Sequence, residues 1–164
     1  FPRLFGARSE QAMEIFFSTY KRDHLAMLTP LPESGAMLET LAGQGLTLGV
    51  VSNKIGRLLR KETAELGWDR FFAGVVGAND AAADKPSIEP IKLALAASGL
   101  APGPEIWFIG ATDIDMRCAA AGNCTSVLIR QEAPADGEFP GHEPQLHLRG
   151  CGELAAAVAE LQAG

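Results

Sequence analysis

What most constrains this chain is a rhythm. Short apolar runs, LTLGVV (46–51), FAGVVG (72–77), EIWFIG (105–110) and CTSVLI (124–129), alternate with stretches whose apolar residues fall at helical spacing, and Gly or Pro marks most boundaries. Runs that are apolar on consecutive rather than alternate positions read as strands covered on both faces, and strands alternating with helices build a parallel sheet. The expected fold class is therefore α/β, a three-layer Rossmann-like parallel sheet. Helices are expected over 33–42, 56–66, 89–98, 113–121 and 151–162, and a further strand QLHLR over 145–149 follows a polar loop at 131–144. Ahead of the first strand, Met13, Phe17, Tyr20 and His24 repeat at near-helical spacing behind Ser9. That spacing predicts an amphipathic helix over 9–28 with Ser9 as its N-cap.

Composition removes several classes of function. With 14 Lys+Arg against 20 Asp+Glu, a formal charge of −6 and no basic block, nucleic acid and anionic membrane are not expected partners. The apolar runs fall well short of the roughly 20 residues a membrane helix needs. Cys118, Cys124 and Cys151 are odd in number and form no ligand pattern, so neither a disulfide framework nor a zinc site is expected, and the setting reads as reducing and cytoplasmic. His24, His142 and His147 match no metal spacing and read as structural or surface residues, while Trp68 and Trp107 read as packing residues. The chain begins at Phe1 rather than Met, and residues are expected to precede it.

In open parallel sheets ligands bind beyond the carboxyl ends of the strands, so the residues after each run are the candidates for function. Ser52-Asn53-Lys54 follows the first run, offering a hydroxyl and backbone N–H groups of the kind that bind a phosphate oxygen. Lys85 follows the second, held extended by Pro86. After the third comes GATDIDMRCAAAG (110–122), in which Asp113 reads as a helix cap and Asp115, deeper in the helix, as a candidate metal ligand. Each signal alone has an ordinary reading: a polar turn, a solvated lysine, a capped helix.

Their fixed order at successive strand ends resembles the haloacid dehalogenase superfamily of hydrolases, in its phosphoglycolate phosphatase-like branch, from about residue 10 to 161. VVSN with Ser52 matches that family's second motif, DKPSIEP with Lys85 its third, and GATDIDMRCAAAG its fourth. The resemblance implies a Mg2+-dependent phosphatase acting on a small phosphorylated metabolite through an aspartyl-phosphate. Ser52 and Asn53 would then bind the phosphoryl group. Lys85 would compensate its charge, with Ser52 and Lys85 as the catalytic residues, and Asp115 would help hold the metal.

Two departures stand out. No Asp-x-Asp-Gly segment occurs in the 164 residues, so the nucleophile and the acid/base aspartates are expected upstream of Phe1, and position 111, where the motif carries aspartate, is Ala. As written the chain is expected to be inactive. The resemblance divides it into 1–29, the C-terminal part of a small helical cap, and 30–164, an α/β core lacking its first, motif-bearing strand. That strand is expected between the one ending at Ser52 and the one ending at Gly110, which should therefore not pair with each other. The alternatives are a catalytically silent protein that keeps the fold for binding or regulation, and an engineered inactive variant carrying Ala111. A dehalogenase and a receiver domain fit the strand ends less well.

Overall fold

A computed structural model describes residues 2–163. Helices α1 (Pro2–Phe5) and α2 (Ser9–Asp23) precede α3 (Ser34–Gly43), after which strands and helices alternate: β1 (Leu48–Ile55), α4 (Gly56–Glu65), β2 (Phe72–Ala78), α5 (Glu89–Leu95), β3 (Trp107–Gly110), α6 (Asp113–Ala121), β4 (Thr125–Ile129), β5 (Leu146–Leu148) and α7 (Cys151–Ala163). All strand pairs are parallel, as the rhythm requires. They form two ladders, β1–β2 and β3–β4–β5, and among the described residues none joins β1 to β3. That is the separation expected of the strands ending near Ser52 and at Gly110.

Helices cover both faces of each ladder. In β4, Val127 packs with Leu148 and Leu154, while its neighbour Leu128 packs on the other side with Met116 of α6 and Phe139. Strand alternation makes that two-sided burial a signature of the middle layer. In β2, Gly74 and Gly77 point to opposite faces: a Cβ on Gly74 would lie 2.5 Å from the Ala94 carbonyl oxygen of α5, and one on Gly77 would lie 2.5 Å from the Lys54 carbonyl oxygen beside α4. Glycine here is a requirement of close approach. One core cluster crosses between the ladders. Ile91 and Leu95 of α5, Phe108 of β3, and Cys118 and Ala119 of α6 pack together, with Val51 of β1 against them. The facing strands are less covered than the rest, and Ile109 in β3 is 39% exposed.

Three expectations need correction. Ser9 is the first residue of α2 rather than its cap, and its hydroxyl donates to the Gly6 carbonyl. Helix α2 stops at Asp23 instead of 28, because the chain turns over 24–27 although its apolar spacing continues. The first strand does not end at Ser52; β1 runs on to Ile55, with an irregularity between Val51 and Ile55.

The predicted consequence of the close approaches is that Gly77→Ala lowers stability by about 1–3 kcal/mol or more, since backbone rather than a movable side chain occupies the space. A urea titration reads this as a lower midpoint at unchanged slope, and an unchanged midpoint would refute the packing argument.

Candidate functional site

The site is built where β1 loses its ladder. Between Val51 and Ile55 the register with β2 shifts, so Ser52, Asn53 and Lys54 are held by side-chain bonds instead. Asn53 makes a closed pair with the backbone of Lys85: its Nδ2 donates to the Lys85 carbonyl at 3.1 Å and its Oδ1 accepts from the Lys85 N–H at 3.1 Å. Both ends of its amide are thus engaged in fastening one strand end to the next. Ser52 Oγ accepts from the Lys54 N–H at 3.1 Å, and among the described residues its own proton has no acceptor.

Fixed in this way, the Lys85 ammonium reaches inward. It donates to the Val51 carbonyl at 3.2 Å and to Asp115 Oδ1 at 2.7 Å, and the Lys85 and Asp115 side chains are only 10% and 11% exposed. Among the described residues Ser52 makes no hydrogen bond to Lys85, but its neighbours on either side both do. The geometry thus brings Lys85 and Asp115 together and holds Ser52 and Asn53 beside them.

Asp115 does what was expected of Asp113. Its Oδ2 accepts from the Ala111 N–H (3.2 Å), the Thr112 N–H (3.1 Å) and the Thr112 hydroxyl (2.8 Å), completing a capping box with Thr112 as the N-cap of α6. Thr112 to Asp115 has the Thr-x-x-acid spacing of that motif, a signal present in the sequence. Asp113, half exposed, pairs instead with His142 Nε2 at 2.5 Å and lies 3.9 Å from Arg117. His142 comes from the polar loop, which is anchored by buried Phe139 and by a paired Arg130–Glu138 contact that holds the Glu138 carboxyl down at about 2. Burial is the largest single influence and acts to raise the Asp115 carboxyl, but the bonds from Lys85, Thr112 and the Ala111 N–H together outweigh it and leave the group below the ordinary aspartate range. Cys118, on the same helix, is pushed up to about 11, chiefly by burial, and is a packing residue rather than a nucleophile.

The magnesium that the resemblance implies can be tested against this donor set. The two oxygens of Asp115 already receive four donors, one of them an ammonium, position 111 offers a methyl group, and Asp113 is turned to His142. Among the described residues no three His, Cys, Asp or Glu side chains converge on a common point. By themselves these residues do not fit a divalent cation, which needs carboxylate oxygens free to coordinate.

A parallel α/β core whose strand ends gather a hydroxyl, an ammonium and a carboxylate defines the class: an α/β domain with its polar side chains converging at the strand ends. The chain belongs to the haloacid dehalogenase-like hydrolase family, whose profile matches residues 3–129, and it is similar to phosphoglycolate phosphatases. It is 29% identical over 132 residues to a phosphoglycolate phosphatase of Aquifex aeolicus, covering 80% of this chain and 62% of that protein. A phosphoglycolate phosphatase of Pectobacterium atrosepticum is 31% identical over 122 residues, covering 74% and 52%. The chain thus spans roughly half to three-fifths of the length of these relatives. Among solved structures, a haloacid dehalogenase-like family hydrolase from Streptococcus pneumoniae superposes with a TM-score of 0.79 at 22% identity, over 93% of this chain and 71% of that one. A HAD-superfamily hydrolase from Ehrlichia chaffeensis gives 0.69 at 23%, over 98% and 73%.

The Lys85–Asp115 pair yields a prediction with a definite sign. Because the Asp115 carboxyl is depressed below 3.8, its stabilising contribution is full above that value and is lost as pH falls through the lower folded value. Lys85→Met leaves the carboxylate buried without its ion and should cost about 3–5 kcal/mol near neutral pH, with a flatter acid limb of stability against pH. Chemical denaturation between pH 2 and 7 reads both, and an acid limb identical to that of the parent protein would count against the pairing.

Proposed function

We propose that this chain is the main part of a phosphatase of the haloacid dehalogenase type that hydrolyses a small, phosphoglycolate-like phosphate monoester. In this reading residues 1–29 are the C-terminal part of a helical cap, and 30–164 are the α/β core. The observation that carries it is the placement of Lys85: a nearly buried ammonium at the strand ends, between two strands, β1 and β3, that do not pair with each other. A strand seated between them satisfies both edges, whose buried unpaired groups otherwise cost about 1–3 kcal/mol each. If that strand ends in an aspartate, its carboxylate lies beside Lys85.

The reaction then balances simply. The aspartate oxygen attacks phosphorus as the bond to the leaving-group oxygen breaks, and a second aspartate two residues on protonates that oxygen. Water, deprotonated by the same aspartate, hydrolyses the aspartyl-phosphate and releases phosphate. Ser52 donates its uncommitted hydroxyl proton to a phosphoryl oxygen and Lys85 offsets the charge, which is the positioning and electrostatic work that phosphoryl transfer demands. Asn53 contributes by holding the Lys85 backbone. Mg2+ enters this reading only with carboxylates beyond those described, and when bound it would neutralise phosphate charge. The free, buried cysteines accord with a reducing, cytoplasmic setting.

One observation favours a second reading, a silent binding or regulatory protein: with Ala at 111, Asp115 is engaged on both oxygens. A phosphatase assay on the protein with its natural N-terminus, using phosphoglycolate with and without Mg2+, separates the two. Turnover is expected. Ser52→Ala should lower kcat about 100-fold or more, the usual cost of one transition-state donor, and Ala111→Asp should raise turnover at least tenfold in Mg2+. No turnover in either the parent or the Ala111→Asp protein would leave the silent reading standing.

A further inference from the structure

Glu62 is a carboxylate in the interior of α4, 5% exposed, at a place where burying a charge is costly unless its partners are fixed. It gathers three of them from two other parts of the chain. Oε1 accepts from the Tyr20 hydroxyl at 3.1 Å and from His24 Nδ1 at 3.0 Å, the first in α2 and the second just after it. Oε2 accepts from the Lys54 ammonium, which also lies 5.8 Å from the Tyr20 ring centre. Burial is the largest single influence and works against the charged form, but the bonds from Lys54, His24 and Tyr20 together outweigh it, so Glu62 is ionised at neutral pH.

We infer that Glu62 is a positioning residue for the anion-binding turn, acting through Lys54, and that the same carboxylate couples that turn to helix α2. The inference rests on reading Ser52 as the phosphoryl donor. Residues 52–54 lie where the β1 ladder lapses, so the backbone of Lys54 is steadied by its side chain on Glu62 and by the Asn53 clamp. The Lys54 N–H in turn donates to Ser52 Oγ. That bond fills an acceptor site on the hydroxyl and turns its proton away from Lys54, toward the open side of the turn. The order of action is therefore Glu62 carboxylate, Lys54 ammonium, Lys54 amide, Ser52 hydroxyl. Tyr20 of α2 and His24 just after it both bond Glu62, so a displacement of α2 removes two of the three bonds that hold it. The position of α2 and the orientation of Ser52 are thus linked through one side chain.

The test uses the 164-residue chain and inorganic phosphate as the probe. Glu62→Gln and Lys54→Met are compared with the parent by amide hydrogen exchange and by phosphate titration. In both variants the Lys54 amide should exchange faster, while amides of β4 keep their protection. In Glu62→Gln the α2 amides should also exchange faster. Phosphate should bind about tenfold more weakly in either variant, the loss of one bond to a charged group. The double variant should be no weaker than either single one, because both break the same chain of contacts. Lys54 is partly exposed, so Lys54→Met keeps the test open if Glu62→Gln fails to fold. Lys54 amide protection equal to the parent's in a folded variant overturns the inference. So does unchanged phosphate affinity beside a merely lowered stability, which is what a packing role predicts. A parent chain that binds no phosphate refutes the reading of Ser52, while the exchange data still decide the coupling.

Discussion

The Lys85 ammonium lies between two ladders that share no strand pairing. It bonds the Val51 carbonyl on one side and Asp115, at the start of the helix after β3, on the other. Coulomb attraction in a nearly dry setting makes that contact strong, and desolvation of both ions offsets much of the gain, so its value is geometric more than energetic. Each strand end is built around it. Asn53 holds its backbone, Asp115 spends one oxygen on it and the other on capping α6, and Thr112 and Ala111 are ordered by that capping. The apolar counterpart is the cluster in which Val51 meets α5, β3 and α6. Together these two contacts register one ladder against the other.

Much of this architecture was legible in the sequence, and what was not has physical reasons. The helix over 113–121 agrees residue for residue, because Gly110 and Gly122 bracket it and its apolar positions repeat cleanly. Strands and the other core helices appear in the expected order, with ends displaced by up to about three residues, as fraying and short ladders allow. Lys85 was singled out because a proline follows it, and the side chain does point into the structure. The capping role of Asp115 is hidden by placing the cap one residue late, at Asp113 rather than Thr112. Glu62 was invisible for another reason: its partners Tyr20 and His24 lie 42 and 38 residues away, and no local pattern announces such a meeting. The same holds for His142, drawn to Asp113 by a loop that Phe139 anchors.

Ala111 bears on what the domain can hold. In a capping box the acid at the third helical position normally serves the helix alone. Here it serves the helix and an ammonium at once, and no second carboxylate among the described residues shares the load. The electrostatic balance at the strand ends is therefore struck by a fixed side-chain cation. Family membership establishes the ancestry of the fold, while the chemistry of this member turns on which carboxylates stand near Lys85.

The unpaired facing edges of β1 and β3 also have a colloidal meaning. An edge strand with free backbone donors and acceptors and a half-exposed isoleucine, as in β3, is a template that does not read the identity of what pairs with it. Neither Gly49, Val50 and Val51 nor Trp107, Phe108 and Ile109 carry the charge or proline that natural sheets use to blunt such edges. Lateral association through such an edge is therefore a liability of the fold, which the acidic net charge of −6 works against by repulsion between copies.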